Sequence, residues 1–269
     1  MYYSLINSMS KGGVAFDADA TAFITAASIT DATQKSAINT LVKDLKTSSI
    51  WTKMKAMYPM VGGTASRHKF NLKDPRDLDA AYRLQFVNGW THSTTGAMPN
   101  GVDGYADTKF IPSTNSTLTS NGLGMYLGTL NTSASSDPIH MGAYNSALQA
   151  TLLFVNKANT NISTRMHSAA ITSSSITATG LISSQRNSAL VNIYKNSTQV
   201  ANVSSSGSLP NIQICLGNMS FVTSGPMYSS GWVNSEFRFA YISDGLNSTD
   251  ISNLYTAVQA FNTTLSRNV

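Results

Sequence analysis

A chain of 269 residues with 42% hydrophobic content can bury a sizeable core, as one large domain plus a smaller element or as two modest domains. Charged residues make up only 12%, about half the usual share, and Ser, Thr and Asn supply the polarity, which favours a β-rich protein with a neutral hydrogen-bonding surface over a cytosolic α/β enzyme. The formal charge is +5, yet the densest basic group (Arg67, His68, Lys69, Lys73, Arg76) is interrupted by Asp74, Asp77 and Asp79 and reads as a solvated loop, so no nucleic-acid partner is expected.

The chain opens on "MYYSLINSMSKGG", which has neither the charged leader nor the apolar run of a conventional signal peptide. No stretch approaches the roughly 20 apolar residues of a membrane span. Residues 17–58 carry the helical signal. A short helix is expected around 19–27, and "DATQKSAINTLVKDLK" places Ile38, Leu41, Val42 and Leu45 on one stripe, with Asp31 and Gln34 as a capping box. "IWTKMKAMY" reads as a further helix with Trp51, Met54 and Tyr58 on one face, ended by Pro59. Helices this short cannot bury a core alone and must pack on the following domain or on another subunit.

Residues 61–77 are loop-rich. From about residue 80 the apolar pattern changes to period 2 with frequent Gly, Asn, Ser and Pro. Strands are expected at 82–87, 104–111, 122–130, 138–144, 151–155, 168–171, 180–184, 189–195, 198–203, 211–216 and 235–242. "ALVNIYKNSTQVANV" reads as a hairpin turning at "KNST". In "EFRFAYISDGLNSTDISNLYTAVQAF", Phe237, Phe239 and Tyr241 alternate as a strand with one buried face. A turn at Asp244-Gly245 follows, then a helix capped by Ser248 or Thr249 with Ile251, Leu254, Tyr255 and Val258 on one side. Many short strands without βαβ alternation point to an antiparallel sandwich or barrel.

Taken in order, "GYADTKFIPS", "LVNIYKNSTQV", "IQICLGN" and the closing strand and helix resemble the landmarks of a concanavalin-like, laminin-G-type jelly roll over residues 100–265. In that resemblance the last helix is a cap that lays Leu254, Tyr255 and Val258 against the sandwich. The run "IWTKMKAMYPMVGGTASRHKFNLKDPRDLDAA" is similar to a segment of structural proteins of tailed bacteriophages, crAss-like phages of Bacteroidota among them, and of related prophages. This implies a virion component and supplies no catalytic motif.

The chemistry-bearing residues are sparse. Jelly-roll glycosidases need two facing carboxylates, but Glu236 is the lone glutamate, and between Gly104 and Ser235 only Asp107 and Asp137 are acidic. Asp107 reads as a structural acceptor for turn backbone. There is no G-x-S-x-G elbow. His68, His92, His140 and His167 are scattered without metal-ligand spacing and read as loop or surface residues, and Cys215 as a buried thiol. Asp103 in "NGVDG" reads as a turn rather than a calcium ligand. Trp90 in "NGWTHS" and Trp232 in "SSGWVN" are candidates for stacking on a sugar, or else anchors of their loops in the core; Trp51 is packing.

The sequence therefore predicts a mainly β, antiparallel concanavalin-like jelly-roll sandwich preceded by a short α-helical region. Residues 1–60 would attach or oligomerise, 61–79 link, and 80–269 form the sandwich with a terminal helix at 249–261. The expected protein is not an enzyme and holds no cofactor or metal. It is a head or tail fibre, spike or decoration component of a virion, made in the host cytoplasm. Its partners are other virion proteins, copies of itself (as a trimer, the common state of fibres and spikes) and host-surface polysaccharide. The alternatives are a lectin-like carbohydrate-binding module of a bacterial surface protein, a polysaccharide depolymerase, or a decoration protein without ligand.

Overall fold

The computed structural model describes residues 15–130, 138–146, 148–155, 161–173, 179–221 and 228–269. Helices α1 (Ala18–Ala26) and α2 (Ala32–Thr47) come first. Asp17 caps α1 through the Asp19 amide, and Asp31 caps α2 by accepting from the Gln34 amide at 2.7 Å. The return bond of a capping box is absent because Gln34 Oε1 accepts from the Gly62 amide instead, at 3.0 Å. Ile38, Leu41, Val42 and Leu45 form the buried stripe, as their spacing predicts.

"IWTKMKAMY" corrects the helix expectation. It is one 3₁₀ turn (Trp51–Lys53) followed by strand β1 (Met54–Tyr58). The pairing register slips between Met54 and Ala56, so Met54 and Met57 face the helices while Ala56 and Tyr58 face the opposite side. A bulge in a strand buried on both faces produces the three-residue spacing that imitates a helix. Trp51 packs among the helices as expected, with the Lys46 and Lys73 ammonium groups over its ring at 5.4 and 4.5 Å.

The short helix α3 (Ala65–His68) precedes β2 (Gln85–Val87), β3 (Trp90–His92), β4 (Ala97–Pro99) and β5 (Tyr105–Asp107). After α4 (Pro112–Asn115) come β6 (Ser120–Leu127), β7 (Ile139–Ser146), β8 (Gln149–Val155), β9 (Ile162–Met166) and β10 (Ala169–Thr172). The chain continues with β11 (Gly180–Asn187), β12 (Leu190–Lys195), β13 (Thr198–Ser204), β14 (Cys215–Leu216), β15 (Met219–Phe221) and β16 (Phe237–Ser243), and closes with α5 (Ser248–Thr264). The hairpin β12–β13 turns at Asn196-Ser197, with Lys195 opposite Thr198, as "KNST" predicts.

Two eight-stranded sheets result. The first runs β13-β12-β11-β6-β16-β4-β3 with β1 also on β16; the second runs β10-β9-β8-β7-β14-β5-β2 with β15 also beside β7. All described pairings are antiparallel except β15 with β7. The chain is thus a mainly β, antiparallel sandwich with a helical region before it and a helix after it. Leu123, Met125, Ile182 and Ile193 of the first sheet meet Met141, Leu153, Ile162 and Leu216 of the second in the core between them. The opposite face of the first sheet carries Tyr126, Leu181, Phe239 and Tyr241, and α1, α2 and α5 cover it. Full burial of each such side chain stabilises by about 1.5–3 kcal/mol.

Strand β16 differs from the one-faced strand that its alternation suggests. Its register shifts between Phe237 and Phe239, so Phe237 enters the inter-sheet core while Phe239 and Tyr241 face the helices. Helix α5 is capped by Asn247 and not by Ser248 or Thr249: Asn247 accepts from the Asp250 amide at 2.9 Å and Asp250 accepts from the Asn247 amide at 3.0 Å.

Past α5, Arg267 turns back into the protein and is 2% exposed. Its guanidinium donates to the carbonyls of Pro59 (2.7 Å), Met60 (2.8 Å), Thr95 (3.2 Å) and Arg238 (2.9 Å), and to Asn262 Oδ1 (2.9 Å). No carboxylate among the described residues pairs with it, and burial pushes its pKa down to about 9. Arg267→Gln leaves several buried carbonyls without donors, so a loss of about 3 kcal/mol or more in unfolding free energy is expected. Arg267→Lys recovers only part, because three donors on a point charge cannot reach acceptors spread around a planar fork. Urea denaturation of the two variants measures this.

Candidate functional site

The helices cover the first sheet, and the second sheet's outer face carries a separate, smaller apolar cluster. Alternation explains its residues. On β8 and β9, Leu153, Val155, Ile162 and Met166 turn into the core, so Leu152, Phe154 and Arg165 turn outward. Thr164 also turns inward and donates to Ser184 Oγ across the sandwich at 2.8 Å. The parallel pairing of β15 sets Phe221 beside Tyr144, and Tyr228 follows.

These residues line a pocket of about 330 Å³. Tyr144 and Phe221 stack with ring centroids 5.4 Å apart and planes 24° apart, and Phe221 meets Tyr228 at 5.5 Å. Leu152, 5% exposed, lies at the floor. Gly142 makes room for it, since a Cβ there would sit 2.6 Å from Leu152 Cδ2. The half-buried Arg165 holds its guanidinium carbon 6.0 Å from the centre of the Tyr144 ring.

Neither tryptophan singled out from the sequence is among the pocket's lining. Trp90 is half-buried, donates its indole N–H to the Tyr105 carbonyl at 3.0 Å and meets Phe86 edge-on at 5.1 Å. Trp232 is half-buried next to Gly231, whose carbonyl accepts from the Ile139 amide at the start of β7. Sequence reasoning missed Tyr144, Phe221, Tyr228 and Arg165. The alternation of Ile162, Thr164 and Met166 marks Arg165 as outward-facing, but nothing local reveals that β15 pairs with β7.

The acids are engaged in structure. Glu236 pairs with Arg238 at 2.7 Å and accepts from Thr95 Oγ1 at 2.5 Å. Asp107 accepts from the Lys109 amide and ammonium group, the turn-backbone role expected of it. Asp103 accepts from Asn100, whose own side chain takes three turn amides. Asp137 lies outside the described residues. The basic loop is neutralised locally: Lys69 pairs with Asp77, Arg76 with Asp74, and Arg83 with Asp77 and Asp79. Cys215 is buried as expected, and burial pushes its thiol up to about 12.

The histidines correct the surface-residue expectation, since His68, His140 and His167 are at most 1% exposed. Each uses a ring nitrogen as an acceptor. His140 Nδ1 accepts from the Val155 amide at 3.3 Å, with Nε2 2.9 Å from Ser235 Oγ. His68 Nε2 accepts from the Gly63 amide at 3.2 Å, which leaves Nδ1 to donate to His92 Nδ1 at 3.0 Å. His167 Nδ1 accepts from Arg186. The described residues hold no group of three or more His, Cys, Asp or Glu that would hold a metal ion.

No protein-family model matches the chain, and no curated protein matches it in sequence. Solved structures do match its fold. A Trypanosoma rangeli sialidase mutant displaying trans-sialidase activity aligns at TM-score 0.55 and 12% identity, over 83% of this chain and 39% of that one. The Trypanosoma rangeli sialidase in complex with 2,3-difluoro-KDN aligns at TM-score 0.50 and 12% identity, over 82% and 39%. The chain therefore spans about two fifths of the length of these sialidases. The CBM40 of a Ruminococcus gnavus IT-sialidase aligns at TM-score 0.37 and 9% identity, over 51% of this chain and 82% of that one. The fold is a sandwich of the concanavalin-like, jelly-roll type. The expectation that the chain is not an enzyme is corrected here, because the solved structures that share its fold include sialidases, which are enzymes.

Burial pushes His68 and His140 down to about 3 and His167 down to about 4. The unfolded chain titrates these groups near pH 6.5, so below that pH it binds more protons than the folded chain. Stability is intact above pH 6.5 and falls as pH drops toward the folded values, by up to about 1.4 kcal/mol per pH unit for each histidine. Urea midpoints at pH 7.5 and 5.5 are expected to differ in that direction. His140→Gln, which keeps a donor and an acceptor, reduces the difference.

Proposed function

We propose that the chain is a carbohydrate-binding, lectin-like module that takes a glycan in the pocket on the outer face of its second sheet. The observation that carries this reading is the aromatic wall of Tyr144, Phe221 and Tyr228, in which Phe221 touches both tyrosine rings and all three remain only half-buried. A sugar ring presents an apolar C–H face that packs on an aromatic ring, and its hydroxyls need polar groups at the rim. Tyr144 and Tyr228 supply both kinds of surface. The pocket volume of about 330 Å³ falls in the range of small-ligand sites. The sandwich fold supports the reading, as does the complex of a sialidase of similar fold with a sugar acid. Single-site affinity of this kind is weak and is strengthened by presenting many copies.

The resemblance of residues 50–81 to tailed-phage structural proteins supports a second proposal, that the module is carried on the surface of a virion. Mass spectrometry of purified particles tests it, and absence of the chain from them ends it.

Glycan-array screening followed by titration calorimetry tests the binding site. Phe221→Ala and Tyr228→Ala are each expected to weaken glycan affinity by about tenfold, equivalent to ~1.4 kcal/mol. The urea midpoint stays near that of the parent, because both side chains are partly exposed. Glycan affinity unchanged in both variants would refute the site.

A further inference from the structure

We propose that this pocket selects glycans bearing a carboxylate, and that Arg165 is the residue that reads it. The inference rests on the pocket being a glycan site and adds the charge of its ligand.

The described arginines divide by what their guanidinium groups hold. Arg76, Arg83 and Arg238 are paired with acids. Arg186 and Arg267 are buried against carbonyls, and Arg67 donates to the Gly62 carbonyl. Arg165 alone donates to no described atom. Its cross-strand neighbours are Leu152 on β8 and Ala170 on β10, and both line the pocket. A structural arginine on a sheet surface is normally set opposite an acid or a hydroxyl. Here both flanks are apolar, which leaves its donors without a partner among the described residues, in a pocket whose described lining contains no acid.

The rigid, planar guanidinium offers parallel N–H donors that match a carboxylate in a bidentate pair. The contact with Tyr144 holds the cation at the edge of the aromatic wall. A sugar whose ring carries a carboxylate, a uronic acid or a nonulosonic acid, satisfies both surfaces together: its C–H face against Tyr144 and Phe221, its carboxylate on Arg165. The neutral Ser/Thr/Asn surface supplies little competing charge, so selection falls to this one group.

The test is calorimetry of the full chain with two matched pairs, sialyllactose against lactose and trigalacturonate against galactotriose, with a sulfated galactoside as a further anion. In at least one pair the acidic sugar is expected to bind about tenfold tighter or more. Which pair shows this identifies the class of acid. Arg165→Gln brings the ratio of acidic-sugar to neutral-sugar affinity to about one, while Arg165→Lys restores only part of the preference. Equal binding of acidic and neutral sugars, a preference that survives Arg165→Gln, or tightest binding to the sulfated sugar overturns the carboxylate assignment and leaves the glycan site standing. Absence of binding to every sugar overturns both. Urea midpoints of the variants exclude misfolding as the cause.

Discussion

The first sheet is buried on both faces, and the rest of the molecule is arranged around that constraint. Its central strand β16 sends Phe237, Ala240 and Ile242 into the core between the sheets and Phe239 and Tyr241 into the helical layer. Such a strand is stable only when both sides are covered, because aromatic rings left in water forfeit the area term that drives folding. Helices α1, α2 and α5 provide the second cover. The helical region before the sandwich and the helix after it therefore act as one layer, and both are spent on the same sheet.

That expenditure leaves the second sheet to carry the proposed site. Among the described residues the second sheet is covered on its inner face only, and its outer face has the aromatic cluster and Arg165. Apart from Tyr228, these side chains stand on strands, so their spacing is set by sheet register: Phe221 beside Tyr144, Arg165 beside Leu152. A site built this way is preorganised and loses little entropy on binding. Phe154 and Leu152 complete its apolar floor.

Much of the architecture was legible in the sequence because it is local. The α2 stripe, the hairpin at Asn196-Ser197 and the amphipathic α5 each announce themselves within a few residues. What failed was non-local. The bulge in β1 gave Met54 and Met57 helical spacing, and only its pairing with β16 shows that the segment is a strand. Strands β3, β4 and β15 are three residues each, too short for any periodicity. The pocket depends on one of them. Histidine burial was equally hidden, since for two of the rings the hydrogen-bond donor arrives from elsewhere in the fold: an amide of β8 for His140, a guanidinium of β11 for His167. Trp90 and Trp232 drew attention as aromatics flanked by polar loops, and the indole N–H of Trp90 is held by backbone, in keeping with the loop-anchor alternative.

Arg267 also carries a consequence for how the molecule is made. Its acceptors, the carbonyls of Pro59, Met60, Thr95 and Arg238, belong to segments synthesised long before it, and β1 likewise waits for β16 to supply its ladder. Sequence-distant contacts of this kind slow folding, since loop-closure entropy is spent before the contact rewards it. A nascent chain that has emerged as far as β14 has most of its strands but neither the keystone strand nor the clasp that locks it. Closure of this sandwich therefore waits for residue 267, and a ribosome that stalls before it leaves the sandwich unsealed.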